Sequence, residues 1–496
     1  MQRSLTALLF LIATTSFAQP PGKTSTVAFD QYVDNARKQW NVPGMSIVVV
    51  KNGTVVFKKG YGVTEIGKSP AVDTKTLFAC ASTTKAMTAT VLGMLVDEGK
   101  INWDDRVTKY LPGFQLKEVW VTRELRVRDL LLHNTGLPST NFLTGIMNVP
   151  PDEMFRRMAL VDPIYSFRAG FEYQNTFYTI AGKVIEVVTG KRWHEVMTER
   201  LFTPLGMTST VPKRSLTTST NITKPHFPIN DSIKVLSYGR DSDIGAAGGV
   251  WSNVDDMAIW MNCMLDSGKY SGGRLVSSKT WTEMFKPQNF FPENEYPALS
   301  LVKPNWRTYG FGWYQIDYKG RKLNFHTGSL EGLTAIVGLL PEEKTGVFIF
   351  GNYDHAEVRH ALMYKALDWF ALNGTRDWNV DVKKLFDGIK ADDKKNEEAF
   401  MKSQVKGTRP SLALKEYSGI YQSALYGTAL VTVKGDKLQI DLNNHVVEIT
   451  CSHWNYDTFI GGLGQYQQYK VLASFVLDSS GKPGTLILGG DYEFRR

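Results

Sequence analysis

The sequence predicts an α/β protein in two parts: an antiparallel sheet flanked by helices with a helical subdomain, followed by a small all-β barrel. Three observations support this fold. Runs of β-forming residues occur near 44–63 and again over 309–352, while residues from about 100 to 300 read as helices and loops. Beyond Leu412 the chain changes to short strands separated by turn residues. We therefore expect one sheet built from both chain ends with the helical part inserted.

The first residues resemble a secretory signal peptide. Arg3 supplies a positive charge, Leu5 to Ala13 form an apolar run, and Ser16-Phe17-Ala18 fits a small-x-small cleavage site. We assign residues 1–18 to this signal and expect a periplasmic or secreted protein. The apolar run is too short to cross a bilayer as a helix and no later stretch is long enough, so no integral membrane segment is expected after cleavage.

The elements that follow are predicted in order along the chain. A helix is expected from about Phe29 to Trp40, and then a β-hairpin around Asn52-Gly53, a strong turn signal. Apolar residues at helical spacing predict a helix from about Phe78 to Gly99. Further helices are expected at 179–190 and 253–268, strands at 309–317, 321–329 and 334–352, and a closing helix at 357–372.

These elements divide the chain into three regions after the signal. A main domain is expected over 25–374 and a small antiparallel barrel or sandwich over 412–496. The connector, 375–411, is rich in charge and predicts a solvated helix.

Composition limits the partners. The net charge of +8 over 496 residues is modest, and Lys and Arg are scattered, so no nucleic-acid partner is expected. The three cysteines, Cys80, Cys263 and Cys451, are odd in number and far apart, so we expect no disulfide framework. Cys80 is expected to be a small buried residue under the start of a helix.

Ser82 and Lys85 are the first candidate catalytic pair. Three residues apart on a helix, a hydroxyl and an amine share one face, and a helix N-terminus adds partial positive charge beside the hydroxyl. That arrangement suits an activated serine nucleophile. Ser-x-x-Lys also begins at Ser300, Ser403 and Ser479, but only Ser82 opens a long apolar helix. The alternative is an ordinary serine in the first turn of a helix.

Tyr173 and Asn175 form the second candidate pair. Tyr173-Gln174-Asn175 precedes a predicted helix, and a tyrosine near a lysine ammonium can have a lowered pKa and relay protons. Asn175 can accept a hydrogen bond from Lys85 and donate to a substrate carbonyl. The alternative is a packing tyrosine beside an N-capping asparagine.

The third candidate segment is His326-Thr327-Gly328-Ser329, in a predicted strand. Glycine at a strand edge allows close approach of a substrate to the backbone, and the N–H groups of Ser82 and Ser329 could form an oxyanion hole. The alternative for His326 is a packed strand histidine. Lys344-Thr345-Gly346 looks similar but follows Pro341 in a predicted hairpin turn.

Taken together, Ser-x-x-Lys, Tyr-x-Asn and His-Thr-Gly resemble the serine β-lactamase and penicillin-binding protein superfamily. The resemblance covers residues 25 to 372 and is strongest to the branch of class C β-lactamases, D-aminopeptidases, carboxypeptidases and esterases. The segments VRDLLLHNTGLP and GAAGGVWSNVDDMAIWM agree with that branch. The C-terminal segment, with Tyr417-x-Gly419-x-Tyr421, resembles a lipocalin-like domain appended to such hydrolases.

This resemblance implies a serine β-lactamase-like fold and a role for each motif. It implies that Ser82 forms an acyl-enzyme, that Lys85 and Tyr173 move protons, and that Asn175 orients the substrate. It further implies that His326 and Thr327 line the pocket and that Gly328 and Ser329 belong to the substrate-binding strand. Neither a metal nor another cofactor is implied. The expected partner is a small-molecule or peptide substrate, and the oligomeric state is left open.

His326 departs from the pattern of many β-lactamases, which carry lysine at that place. A neutral imidazole binds a β-lactam carboxylate weakly at neutral pH. We therefore favour hydrolysis of peptide, amide or ester bonds, including those of D-amino-acid peptides. A class C-like β-lactamase and a penicillin-binding sensor that acylates without turnover are the alternatives.

Overall fold

A computed structural model describes residues 23–143, 147, 149–229, 232–239, 245–443 and 445–496. The expected signal peptide, 1–18, lies outside the described residues. Helices α1 to α13 cover Lys23–Gln39, Thr84–Asp97, Val119–Glu124, Pro151–Arg157, Asn175–Thr189, Trp193–Met197, Thr203–Leu205, Gly245–Gly248, Val254–Leu265, Ser278–Met284, Leu299–Val302, Val358–Leu367 and Trp378–Lys402.

Strands β1 to β14 belong to the first domain and β15 to β22 to the second. The first set covers Gly44–Lys51, Thr54–Gly62, Phe78–Ala79, His226–Ile229, Ser232–Val235, Trp251–Ser252, Lys269–Tyr270, Gly273–Arg274, Asn289–Phe290, Arg307–Tyr309, Tyr314–Tyr318, Arg321–Leu330, Leu333–Leu340 and Thr345–Gly351. The second covers Gly419–Ser423, Gly427–Lys434, Lys437–Leu442, Val447–Asn455, Thr458–Leu463, Tyr469–Leu477, Pro483–Leu488 and Tyr492–Arg495.

The main sheet has eight antiparallel strands in the order β2-β1-β14-β13-β12-β11-β10-β9. Its N-terminal hairpin is paired with strands from more than 280 positions later, as in Ile47 opposite Ile349. The sheet is therefore built from both chain ends, and the predicted fold class is confirmed.

Strand β1 shows why this sheet is buried on both faces. Val48 and Val50 pack into one apolar cluster and Ile47 and Val49 into another, because successive side chains point to opposite faces. Helix α9 packs beside β1 and β14, and its residue Met261 belongs to the first cluster. Helix α12 packs on β13 and β14 and contributes Leu362 to the second cluster. Strand β12, which carries His326 to Ser329, lies inside this sheet between β13 and β11.

The predicted helix from Phe78 to Gly99 begins later than expected. Phe78 and Ala79 form a short strand paired with Trp251 and Ser252, and the Cys80 N–H donates to the Val250 carbonyl. A 3₁₀ turn at Ala81–Thr83 then leads into α2. Backbone pairing across more than 170 residues overrides the local helical pattern here.

The second domain is a closed eight-stranded antiparallel barrel. Its interior is filled by side chains that are less than a tenth exposed, including Tyr421, Leu438 and Phe475. Helix α13 runs through the charged connector and carries the chain from the first domain to the barrel. Among the described residues, no helix is both long and apolar enough to cross a membrane.

Candidate active site

Ser82 lies in the tight turn that leads into α2. The preceding Ala81 has φ of 47°, in the left-handed region that disfavours residues with a Cβ. Such strain is held only where the surroundings enforce it. The turn leaves the Ser82 side chain partly exposed while the residues around it are buried. Cys80 is buried beneath it, as expected, and its pKa is raised by burial, so its thiol is not a competing nucleophile.

Lys85 is fully buried one turn further on, with its amine aimed at Ser82. Its Nζ donates to Ser82 Oγ at 3.0 Å, to Asn175 Oδ1 at 2.7 Å and to the Ala247 carbonyl at 2.9 Å. None of these partners is a carboxylate. Burial therefore lowers the pKa of Lys85 well below its ordinary value. Loss of one proton leaves two N–H groups for Asn175 Oδ1 and the Ala247 carbonyl, which can only accept, and a lone pair toward Ser82 Oγ that can take the serine proton.

Tyr173 covers the other side of this amine. The Nζ of Lys85 lies 4.7 Å from the centre of the Tyr173 ring. Burial raises the pKa of Tyr173 well above its ordinary value, although the nearby Ser82 acts in the opposite direction. The expectation of a lowered tyrosine pKa is thus wrong, because burial outweighs any cation and Lys85 is itself driven toward the neutral amine. The phenol hydroxyl is buried, and Ser82 is the side chain whose hydrogen bonding opposes the effect of burial on its pKa.

Asn175 is the first residue of α5, and Gln174 occupies the N-cap position. The Asn175 amide is divided between two partners: its oxygen accepts from Lys85, and its nitrogen donates to Asn141 Oδ1 at 2.9 Å. The capping alternative for Asn175 therefore does not describe its contacts. The amide nitrogen lies where it can also turn toward a substrate carbonyl.

His326 is fully buried and has a fixed tautomer. Its Nδ1 lies 2.6 Å from the Thr327 carbonyl oxygen, which can only accept, so Nδ1 carries the proton. The Nε2 atom then accepts from the Tyr309 hydroxyl at 3.0 Å. Burial, with a smaller effect of Lys85, lowers the pKa of His326 to about 3. The imidazole is therefore neutral at neutral pH and packs behind Tyr173, with the two ring centres 6.2 Å apart.

Gly328 brings strand β12 against the nucleophile. A Cβ on Gly328 would lie 2.4 Å from the Cys80 oxygen and 3.2 Å from the Ser82 nitrogen, so only glycine permits this approach. Thr327, one residue earlier, is buried and its hydroxyl pairs with Tyr296 at 2.7 Å.

Arg359 supports this strand from behind and was not found from the sequence. Its guanidinium donates to the Gly328 carbonyl at 2.6 Å and to Ser329 Oγ at 2.8 Å. The charge is balanced by Glu357, whose pKa is lowered to about 2 chiefly by Arg359 and His360, against the effect of burial. Because the Gly328 carbonyl and the Ser329 N–H belong to one peptide group, this bond polarises that N–H and makes it a stronger donor.

His133 is a second residue that sequence reasoning missed. Its ring stacks on Tyr173 with centres 4.4 Å apart, and its Nδ1 accepts from the Gln174 N–H at 2.9 Å. Burial and the nearby Lys85 lower the pKa of His133 well below its ordinary value. The neutral ring therefore holds the backbone and the side chain of the Tyr-x-Asn segment. The one sequence signal was its place in VRDLLLHNTGLP.

The structure thus brings together the side chains of Ser82, Lys85, Tyr173 and Asn175, with Gly328 of β12 against the Ser82 backbone. His326 and Thr327 lie directly behind them, in contact with tyrosines. Among the described residues, Asp441, His445 and Glu448 are close enough to one another to share a metal ion, but they belong to a turn of the barrel and pair with one another.

Comparison with known proteins identifies the family of this chain. The profile of the family described as Beta-lactamase matches residues 29–368, and a family described only as a domain of unknown function matches residues 403–496. An unguisins hydrolase of Aspergillus campestris is 26% identical over 80% of this chain and 76% of its own length. A second unguisins hydrolase, from Aspergillus violaceofuscus, is 24% identical over 93% and 87%. Protein flp of Staphylococcus aureus is 26% identical over 65% of this chain and 62% of its own.

Solved structures show the same fold. The octameric penicillin-binding protein homologue from Pyrococcus abyssi aligns with a TM-score of 0.61 at 21% identity, covering 95% of this chain and 99% of that one. A crystal structure of SurE with D-Leu aligns with a TM-score of 0.56 at 17% identity, covering 96% and 100%.

Proposed function

Because this chain belongs to the beta-lactamase family, a group of hydrolases related to penicillin-binding proteins, we propose that it is a serine acyl hydrolase with Ser82 as its nucleophile. The observation that carries the proposal is the Lys85 amine, fully buried without a carboxylate partner and 3.0 Å from Ser82 Oγ. This environment favours the neutral amine, which is the form that can act as a base.

In the proposed acylation, Lys85 takes the Ser82 proton as Oγ attacks the substrate carbonyl. The N–H groups of Ser82 and Ser329 hold the developing oxyanion, and Arg359 strengthens the second of them through the Gly328 carbonyl. The proton then passes from Lys85 through the Tyr173 hydroxyl to the leaving amine or alcohol. The products are the leaving group and an ester between the acyl group and Ser82.

In the proposed deacylation, water adds to this ester. Lys85 is neutral again after the first proton transfer, and together with Tyr173 it can accept the proton of the attacking water. That proton then returns to Ser82 Oγ as the acid is released. Each half of the cycle uses the same two proton carriers in opposite directions.

The substrate is proposed to be a small molecule or peptide with an amide or ester bond, and D-amino-acid peptides are included. His326 supports this choice over a dedicated β-lactamase, because a buried neutral imidazole bound to Tyr309 offers no cation to a β-lactam carboxylate. The two fungal relatives named unguisins hydrolases are consistent with a hydrolytic role.

Export to the periplasm or the medium is also proposed, on the strength of Arg3 and the apolar run that follows it. Mass spectrometry of the protein recovered from the producing cells tests it: a mature N-terminus at Gln19 is expected. Recovery of the intact Met1 form from the cytoplasm would contradict it.

The hydrolase proposal is tested with Ser82→Ala on a panel of p-nitrophenyl esters, D- and L-aminoacyl anilides, and nitrocefin. The matched control is Ser300→Ala, which alters the serine of another Ser-x-x-Lys on the short helix α11. Ser82→Ala should abolish turnover and fluorophosphonate labelling, and Ser300→Ala should change neither. Normal turnover by Ser82→Ala would contradict the proposal. An acyl-enzyme that persists for hours with every substrate would instead identify the sensor alternative.

A further inference from the structure

The barrel presents one of its ends to the first domain. In a closed barrel of consecutive antiparallel strands, the turns after β15, β17, β19 and β21 lie at the same end. We call these four turns the barrel roof; the described residues place them at 424–426, 443 with 445–446, 464–468 and 489–491. In the described part of the chain, hydrogen bonds from the barrel to the walls around Ser82 come from this end.

The first wall begins at the substrate-binding amide itself. Asn141 accepts from Asn175, and the next residue, Phe142, packs edge-on against Tyr426 of the roof with ring centres 5.6 Å apart and stacks on Tyr492, which directly follows the roof. Further along the same wall, Arg157 donates to the Leu425 carbonyl at 2.8 Å. One side of the roof therefore contacts the residue next to Asn141, the hydrogen-bond partner of Asn175, which in turn binds Lys85.

The second wall lies across the cleft, at the end of strand β12. Glu331, two residues after Ser329, accepts from Gln468 at 2.6 Å. Beside it, Gln465 makes two hydrogen bonds with the backbone of Ser237, at 2.8 and 3.0 Å. A single turn of the roof, 464–468, thus makes the polar contacts on this side.

Because the roof is attached to both walls, it spans the cleft between them. Ser82 nevertheless keeps part of its surface exposed, so the roof does not seal the nucleophile from solvent. The barrel interior is filled by its own side chains, which leaves its end, not its interior, as the surface that meets a substrate.

We propose that the barrel roof is a size filter for the hydrolase: it admits small, slender acyl donors to Ser82 and excludes polymeric or folded ones. The inference rests on the proposed function of Ser82 and makes its substrate class narrower. It assigns to Gln468 and Glu331 the role of holding the roof on the wall next to the oxyanion hole.

The test compares two fluorophosphonate probes that react with the same serine. One carries a short alkyl chain, and the other carries the same warhead on a 5 kDa polyethylene glycol. Gln468→Glu places a second carboxylate against Glu331 and removes the hydrogen bond between these two side chains. The labelling rate of the large probe relative to the small one should rise by about fivefold or more, which is the effect of losing one hydrogen bond. Adding Glu331→Lys restores an attractive pair and should return the ratio to that of the wild type.

A matched control and a second variant complete the design. Gln404→Glu makes the same chemical change on the far side of the barrel, where Gln404 donates to the Trp454 carbonyl at 3.1 Å, and should leave the ratio unchanged. The Tyr466 hydroxyl donates to the Val235 carbonyl at 3.1 Å. Gln465→Gly combined with Tyr466→Gly removes this bond and those to Ser237 without adding charge, and should raise the ratio as well.

The size filter is overturned if the wild type reacts equally fast with both probes, or if neither Gln468→Glu nor the Gln465→Gly and Tyr466→Gly double variant raises the ratio. Failure of the hydrolase proposal looks different, because the small probe would then not label Ser82 in any variant. Melting temperatures near that of the wild type show that each variant is folded when its labelling is measured.

Discussion

Replacing Lys85 with methionine separates the chemistry of the site from its stability. Methionine has nearly the length of the lysine chain but neither a proton to donate nor a lone pair basic enough to accept one. The substitution therefore keeps the packing under Ser82 and removes the proposed base. Lys303→Met is the matched control, since Lys303 is the exposed lysine of another Ser-x-x-Lys.

The expected change in the free energy of unfolding follows from the contacts of the amine. Ser82 and Asn175 are partly exposed, so their side chains can bind water once the amine is gone. The main loss of stability comes from the buried Ala247 carbonyl, which would be left without a hydrogen-bond donor at a cost of about 1–3 kcal/mol. Against this loss, folding at neutral pH must either bury the Lys85 ammonium or remove its proton, and either costs several kcal/mol. Lys85→Met should therefore be as stable as the wild type or more stable.

The same reasoning fixes the sign of the pH dependence. The pKa of Lys85 is lower in the folded protein than in the unfolded chain, so the unfolded chain binds more protons between the two values. The contribution of this group to stability is therefore complete above the unfolded pKa, about 10.4, and is lost as the pH falls through the folded value. Wild-type stability relative to Lys85→Met should rise with pH across that window.

Lys85→Met should lower the rate of acylation although it does not lower the stability. Loss of a general base lowers the rate of acylation by about 10²–10⁴, measured as fluorophosphonate labelling of Ser82 and as turnover of a p-nitrophenyl ester. In the wild type this rate should fall on acidification through the depressed pKa of Lys85, with no step near pH 10.5. Labelling of Lys85→Met within tenfold of the wild type, or a loss of more than about 3 kcal/mol in urea unfolding, would refute the assignment of a neutral lysine base.

Two further substitutions test the parts around this amine. Tyr173→Phe removes a buried hydroxyl that has no partner, so the melting temperature should stay the same or rise. The same substitution should lower kcat by about 10²–10³. An unchanged kcat in steady-state assays would exclude the proton relay. Gly328→Ala places a methyl group 2.4 Å from the Cys80 oxygen and should lower kcat/KM by about 10² or more through the oxyanion hole. The control Gly113→Ala, at an exposed position with open space and no positive φ, should not. Equal activity of the two variants would show that the close approach of β12 is not needed.

Features determined by neighbouring residues were predictable from the sequence. The hairpin at Asn52-Gly53 formed where it was expected, because that dipeptide favours the turn regardless of context. The strands beyond Leu412 were recognisable for the same reason, since alternating residues and turn residues recur there. The three motifs were found because each carries its reactive groups within four residues.

Features determined by distant contacts were not predictable. His133 acts on Gln174 from 41 positions away, and Arg359 on Gly328 from 31, so the local pattern around each gives no sign of these contacts. The pKa of Tyr173 was expected to fall because a lysine lies near it, but its burial is a property of the whole fold and reverses the sign. The left-handed turn at Ala81 is similarly imposed by pairing with a strand far along the chain.

Helix α13 fixes the distance and the angle at which the barrel meets the catalytic domain. Its 25 residues span about 37 Å, and its two ends are anchored by Trp378 on Asp368 and by Phe400 on Trp454. Inserting one residue would turn everything beyond it by about 100° and advance it by about 1.5 Å. A change in the length of this helix, far from Ser82, would therefore move and rotate the barrel roof relative to the first domain.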